Sequence, residues 1–516
     1  MDPVILPGND QPFQTLDMES EAFRKLGYEV IDAIAEYFDS IKERRIISKS
    51  NSKEIAQVFQ EALPQSGQDA GSIIREWKQN VLPHATHIGS PRYFGFVNGS
   101  GNMISVLAEA LAASINMNAG GWKAGPAATE IERQAIAWLA ELIDYPTDCG
   151  GLIVGGGTIA NFSALLTALR NTAHYNTTEE GLQSDSRRGL YTIYMSDHEG
   201  HISIVKAADM LNLGRGCIRR VPSNDDLTMS VAALERMIDE DIETGCIPFC
   251  VVAQVGSINV GVIDPLEEIA RICSERGIWF HADGACGAVG AMLPEKKRLY
   301  AGLELADSVT LDPHKWLYIP YECGCLLVKN AEKLRRTFSI AAPYLQGTLP
   351  TDYKGLDYFE YGPQMSRGFN ALKVWMSIKH YGKEGYQILL RQNIRCAQHL
   401  HKLVCTSQDF ISMHDPQLFI YSFRFFPQTL RKSSEGQQVN AYVDQLNQQM
   451  ADEITNTGFA FIMTSKVKGL IVLRLSICSH RTTIQDIEQV LERLQGIGSK
   501  LYEQNHSSNP LLNDHA

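Results

Sequence analysis

Short apolar runs separated by helical stretches fill the middle of the chain. They fall at Gly151–Val154, Tyr191–Ser196, Cys217–Val221, Phe249–Val255, Ile278–Ala282, Ser308–Asp312 and Gly324–Val328. Near-continuous Val, Ile and Leu in several of them is the pattern of strands covered on both faces. Between them, Ala160–Arg170 and Pro265–Arg276 carry helical periodicity. Asp264-Pro265 predicts an N-cap followed by proline at the first helical position. Seven strands with crossover helices predict an α/β fold with an open, mostly parallel sheet and ligands at the strand ends.

The flanks read differently. Phe23, Leu26, Val30, Ile34, Tyr37 and Phe38 recur at helical spacing, so residues 1–85 predict a helical arm with little core of its own, packed on another domain or subunit. Residues 86–385 form the large domain. Beyond it, strand-like Leu418–Phe426, Phe459–Thr464 and Leu470–Ile477 surround helical Val439–Thr457, and Lys468-Gly469 suits a hairpin turn. Residues 386–505 therefore predict a small C-terminal α+β domain, closed by a helix over 482–501, and residues 506–516 a polar tail.

Composition narrows the partners. A net charge of −12 argues against nucleic acid or an anionic membrane as the main partner. No apolar run reaches bilayer length, and the first residues lack the basic flank of a signal peptide. Eleven scattered cysteines fit a reducing cytoplasm.

The chemistry concentrates at strand ends. Lys315 lies in Asp312-Pro313-His314-Lys315-Trp316, directly after an apolar strand. Burial disfavours an amine's charge and makes it a nucleophile towards carbonyls. Asp283 ends another strand, followed by small residues Gly284 and Ala285 that let a flat ligand lie close. A lysine and an acid at neighbouring strand ends are what a pyridoxal phosphate site needs. Gly155-Gly156-Gly157-Thr158 opens a helix, where backbone N–H groups attract an anion. His201 follows a third strand and can stack on a ring. Each motif also has an ordinary use, as a tight turn, an N-cap or a structural histidine. With Ala160 the glycine turn even fits a dinucleotide pattern, which keeps a nicotinamide-dependent dehydrogenase as a distant alternative. His281, Asp283, Cys286, His314, Cys323 and Cys325 lie near strand ends, yet no C-x-x-C or H-E-x-x-H occurs, so no metal is expected.

Together, Ser90–Phe96, Pro126–Glu132, the triple-glycine turn, His201–Ser203 with Lys206–Ala208, Phe280–Asp283, Ala306–Ser308 and Asp312–Trp316 resemble the group II pyridoxal phosphate-dependent amino-acid decarboxylases, the aromatic-L-amino-acid decarboxylase family, in its microbial branch. The resemblance covers roughly residues 15 to 500. It implies a fold-type I enzyme, homodimeric, with the active site at the subunit interface and the N-terminal arm wrapped on the partner. By motif position, Lys315 links to the cofactor, Asp283 holds its ring nitrogen and His201 stacks on the ring. Gly157 and Thr158 bind the phosphate with His314 nearby, and Ala285 and Asp312 occupy further cofactor positions. The proton donor of the family is a loop tyrosine. Tyr344–Gly368 reads as a lid, and counting back from Arg367-Gly368-Phe369 selects Tyr358, with Tyr353 as its rival.

Three departures bear on substrate. Gly256-Ser257-Ile258-Asn259 replaces a Thr-rich turn, so Ile258 lacks a hydroxyl that helps hold the cofactor. Ile88, Phe96, Val97, Gly99, Asn118 and Gly120 occupy presumed substrate-pocket positions, and Cys286 stands where many relatives carry tyrosine. Gly120 and Cys286 are expected to free volume for a large ring, and Asn118 to offer a hydrogen bond. The expected reaction is α-decarboxylation of an L-amino acid, aromatic by class, to the amine and CO2. The alternatives are an oxygen-consuming aldehyde synthase, a decarboxylase of a non-aromatic amino acid, and a catalytically silent binding protein.

Overall fold

The computed structural model describes residues 17–172, 180–182, 189–340, 356–431 and 437–506. They fall into two units, divided after Ser90.

The first unit holds the helices Ser20–Ser40, Ser52–Phe59 and Ala70–Glu76. Asn51 opens the second with a capping box: its side chain accepts from the backbone of Lys53 and Glu54, while the Glu54 carboxylate accepts from its N–H. Phe23 and Tyr28 of the first helix are exposed.

The second unit contains two sheets. The larger has seven strands: β1 (Gly150–Val154), β2 (Tyr191–Ser196), β3 (Ile218–Val221), β4 (Ile247–Gln254), β5 (Trp279–Asp283), β6 (Ser308–Leu311) and β7 (Gly324–Val328). Their order is β1-β7-β6-β5-β4-β2-β3. Only β7 runs against its neighbours. The seven runs read from sequence are thus the seven strands, in a mostly parallel α/β sheet. β1, β2, β5, β6 and β7 are buried along their whole length, which is why they are apolar without alternation. The common direction brings the C-terminal ends of β1, β2, β4, β5 and β6 to one edge.

The smaller, antiparallel sheet comprises β8 (Phe410–Ser412), β9 (Ile420–Phe425), β10 (Met463–Val467) and β11 (Leu470–Ser476), ordered β10-β11-β9-β8. Lys468 and Gly469 both take positive φ, 50° and 79°, and make the tight β10–β11 turn. A long helical segment, Ala371–Thr406, packs beside both sheets' helices and breaks at Gly382 (φ 63°).

Two local expectations fail. The helix after β4 is Leu266–Arg276, with Pro265 at its N-cap and no side-chain cap. The Asp264 carboxylate instead accepts from the N–H groups of Met229 and Gln254, both at 2.7 Å. The C-terminal half of the expected lid is also anchored. Tyr358–Glu360 form a 3-10 turn, Phe359 N–H donates to Gly120 O at 2.8 Å, and the Asp357 carboxylate accepts from Trp122 N–H at 2.8 Å. Residues 341–355 lie outside the described residues.

That anchored stretch leads into a buried ion pair. The Arg367 guanidinium donates to Glu132, to Ile153 O of β1 at 2.6 Å and to Ala119 O at 3.1 Å. Glu132 also accepts from Ile153 N–H at 2.9 Å. Arg367→Met leaves a buried carboxylate unpaired, at a cost of about 3–5 kcal/mol. The expected result is a clearly lower urea midpoint; an unchanged midpoint refutes the assignment.

Candidate active site

The strand-end edge gathers the chemistry. A cleft of about 500 Å³ is lined by Gly155–Ile159, Asn161, His201, Ser203, Ala285, Asp312, His314, Lys315, Tyr321, Glu322 and Gln364. The β1 end supplies the glycine turn, and the helix Gly157–Thr172 starts inside it. A Cβ at Gly157 would lie 2.9 Å from Asp312 Oδ2 and 3.4 Å from the Ala285 Cβ. Glycine is needed there so that the backbone can face the cleft.

Lys315 sits at the floor. Its Nζ is 2.9 Å from Asp312 Oδ2 and 3.7 Å from Cys286 Sγ. Burial alone would discharge the amine, but Asp312, Cys286 and Asp283 outweigh it, so the pKa of Lys315 is raised. Sequence reasoning expected a discharged nucleophilic lysine; the neighbouring carboxylates instead favour its charged form. Burial pushes the Cys286 thiol up, against the lowering effect of Lys315. His314 donates from Nδ1 to Cys323 O at 2.7 Å, and burial lowers its pKa. Its ring lies 4.5 Å from that of Tyr321.

Asp283 is buried at the end of β5. Its Oδ2 accepts from Asn161 Nδ2 at 3.0 Å and its Oδ1 from Ala285 N–H at 3.3 Å. Asn161 also reaches Ser203 Oγ at 2.8 Å and His281 Nε2 at 3.0 Å. His201 caps the helix Ile202–Met210 through its own ring.

The turn Gly256–Asn259 is pinned by its asparagine. Asn259 Nδ2 donates to His198 O and Glu199 Oε1, both at 3.3 Å. Its Oδ1 accepts from Ser465 Oγ at 2.7 Å and its carbonyl from Ser422 Oγ at 3.0 Å. The segment that carries His201 is thereby tied to the small sheet. Sequence reasoning did not pick Asn161 or Glu199 as site residues, and it named His281, Ser203 and Asn259 without these hydrogen-bonding roles. The signal available for Asn161 was its place one turn into the helix after the glycine turn.

Several expected site residues are not among those that line this cleft. Tyr358 is fully buried, its ring 5.1 Å from the Arg367 guanidinium, and it does not line the cleft. A phenol held in that interior is not a mobile donor. Tyr353 lies outside the described residues. Gly120 frees no volume, because a Cβ there would meet Met365 O at 2.1 Å. The Asn118 Oδ1 is used by Gly120 N–H at 2.9 Å and Arg367 N–H at 3.0 Å. Val97 is buried in the core, Phe96 is half exposed with φ 49°, and Ile88 belongs to the N-terminal unit. Gly99 instead packs on the lysine itself: its N–H donates to His314 O at 3.1 Å.

Comparison with known proteins decides the family. The pyridoxal-dependent decarboxylase conserved domain matches residues 52–426. The chain belongs to the pyridoxal-dependent decarboxylases. It is 31% identical to an aromatic-L-amino-acid decarboxylase of Bacillus atrophaeus over 489 residues, covering 95% of this chain and 98% of the relative. A phenylacetaldehyde synthase of a Rosa hybrid cultivar is 26% identical, covering 93% of each chain. The crystal structure of Oryza sativa TDC with PLP and tryptamine matches with a TM-score of 0.86 at 23% identity, covering 95% of this chain and 99% of that one. The fold is that of fold-type I pyridoxal phosphate enzymes, the activity is that of an amino-acid decarboxylase, and the cofactor is pyridoxal phosphate.

The decarboxylase cleft fits that cofactor on two independent observations. Asp312 Oδ1 is buried with no hydrogen-bond partner among the described residues, and the glycine turn leaves bare backbone at a helix start. A Cβ at Gly99 would fall 2.2 Å from Lys315 O and 2.6 Å from His314 O. Gly99→Ala is expected to displace Lys315 and lower kcat by on the order of 100-fold, with circular dichroism still reporting a folded chain. Retention of wild-type kcat overturns this reading.

Proposed function

We propose that the protein removes the α-carboxylate of an aromatic L-amino acid as CO2 and releases the amine. The observation that carries the reading is Lys315 at the cleft floor, held by Asp312 and flanked by Asp283, His201 and the glycine turn. Lys315 would hold the cofactor, Asp283 its ring nitrogen and Gly157 with Thr158 its phosphate. His201 and Ala285 would contact the ring, with Asp312 and His314 beside the lysine. Bound pyridoxal phosphate supplies the electron sink for the bonding pair left behind when the carboxylate departs. The chain's own tasks are to orient the carboxylate, exclude water and deliver one proton to Cα. Full-length similarity to an aromatic-L-amino-acid decarboxylase supports the aromatic class.

With Tyr358 turned into the interior, the proton donor is assigned to the segment 341–355, where Tyr344 and Tyr353 are the candidates. A second reading, oxidative release of the aldehyde with ammonia and hydrogen peroxide, is favoured by the similarity to an aldehyde synthase.

A homodimer is part of the proposal. Met103, Leu107, Leu111 and Ile115 stand exposed at four-residue spacing along one helix face, a stripe that a second copy would cover. Residues 1–85 would serve as the arm against that copy. A cytoplasmic location is supported by all eleven cysteines being free.

CO2 release should occur with tryptophan, tyrosine, phenylalanine or a hydroxylated analogue, and be lost in Lys315→Ala. Turnover of acidic or small aliphatic amino acids alone defeats the aromatic assignment. Tyr358→Phe should leave the amine-to-aldehyde ratio unchanged, whereas phenylalanine at Tyr344 or Tyr353 should raise the aldehyde share. A ratio that moves only with Tyr358 returns the donor role to that residue.

A further inference from the structure

Behind the cleft runs a continuous line of buried polar groups. Trp279 Nε1 lies 2.8 Å from Ser308 Oγ, and Ser308 Oγ lies 2.8 Å from His281 Nδ1. His281 Nε2 is 3.0 Å from Asn161 Oδ1. Asn161 Nδ2 serves both Asp283 Oδ2 at 3.0 Å and Ser203 Oγ at 2.8 Å. Ser203 Oγ is 2.8 Å from His201 Nδ1, and Ser203 N–H donates to the same Nδ1 at 3.3 Å. Ser308, His281, Asn161, Ser203 and Asp283 are all buried.

The direction of the bonds is set by Asp283. Its carboxylate can only accept, so Asn161 turns Nδ2 to it and its carbonyl to His281 Nε2. His281 Nδ1 is then the acceptor and takes the proton of Ser308 Oγ, which accepts the indole N–H of Trp279. His281 then carries its proton on Nε2 and donates it to the Asn161 carbonyl. Burial holds the His281 pKa down at about 4, so the ring is neutral. The Asn161 amide, so oriented, points its N–H groups at Asp283 and Ser203. Ser203 Oγ, accepting from Asn161, turns its proton on His201 Nδ1. The Ser203 backbone N–H enforces the same polarity, because it too can only donate. Both groups that face His201 Nδ1 are therefore donors.

We propose that this chain fixes His201 as the Nε2–H tautomer, so that it offers the cleft a neutral hydrogen-bond donor and never a free ring lone pair. Asn161, Ser203 and His281 are positioning residues: the same amide that orients His201 through Ser203 also holds Asp283. Burial lowers the His201 pKa, more than Asp283 and Asp312 raise it, and Lys315 and Lys206 lower it further. That agrees with a neutral ring. His201 would thus serve as a donor to anionic groups rather than as the base or the cationic acid of the reaction. The inference concerns the same cleft as the proposed decarboxylation but does not depend on the substrate, and its test uses the apoenzyme without turnover.

Diethyl pyrocarbonate reads the tautomer, because an imidazole lone pair must displace ethyl carbonate from the reagent. His198, exposed and three residues away, is the internal control on the same peptide. In the apoenzyme, peptide mass spectrometry should find His201 modified about tenfold more slowly than His198, the factor one blocked hydrogen-bonded lone pair is worth. Ser203→Ala should accelerate His201 by a similar factor, and Ser203→Thr, which keeps the hydroxyl, should stay slow. Asn161→Ala keeps the hydroxyl but removes its orienting donor; it should also accelerate His201, and it stands in if Ser203→Ala does not fold. A wild-type His201 as reactive as His198 overturns the proposal, as does a rate unmoved by either alanine. Failure here leaves the decarboxylase reading intact, since CO2 release is measured separately.

Discussion

Two carboxylates buried at adjacent strand ends, Asp283 and Asp312, set the terms for the rest of the cleft. A carboxylate removed from water costs several kcal/mol unless something answers its charge. Asp312 is answered by the Lys315 amine at 2.9 Å. Asp283 is answered by one amide N–H from Asn161 and one backbone N–H from Ala285. One oxygen of Asp312 has no hydrogen-bond partner among the described residues, and this incomplete satisfaction is a sign that the cleft is built around another group.

The sheet makes that arrangement affordable. Parallel strands carry Asp283 and Asp312 to one edge, and antiparallel β7 brings Cys323 back to hold the His314 ring. Close backbone packing does the remaining alignment. Gly256, at φ 88°, lies where a Cβ would be 2.7 Å from Gly287 Cα, so the turn after β4 and the loop carrying Cys286 interlock directly. Asn259 then ties the His198–Glu199 segment to Ser422 and Ser465 of the small sheet. The two sheets of the second unit are thereby coupled through the loop that presents His201.

Much of this was legible from the chain. Strands buried on both faces write themselves as apolar runs, and all seven were read. Lys468-Gly469 marked a hairpin because positive φ is required there. Lys315, Asp283, His201 and the glycine turn could be picked because each follows a strand directly. Residues governed by distant segments were misread. Asp264 looked like a helix cap but serves Met229 and Gln254. Gly120 looked like spare volume but admits the backbone of Met365. Tyr358, chosen by counting along the chain, is buried against Arg367, whose partner Glu132 lies more than two hundred residues away.

The sequence by itself determined the strand order of chemistry along the chain, the lysine and acid at neighbouring strand ends, and through them the cofactor class. Those properties depend on periodicity and on residues adjacent in the chain. Only the tertiary structure decided which groups satisfy the buried carboxylates, which glycines are filled by foreign backbone, and which face of His201 is committed. Each of these is a hydrogen bond or a contact between segments far apart in sequence, and no local pattern encodes the partner.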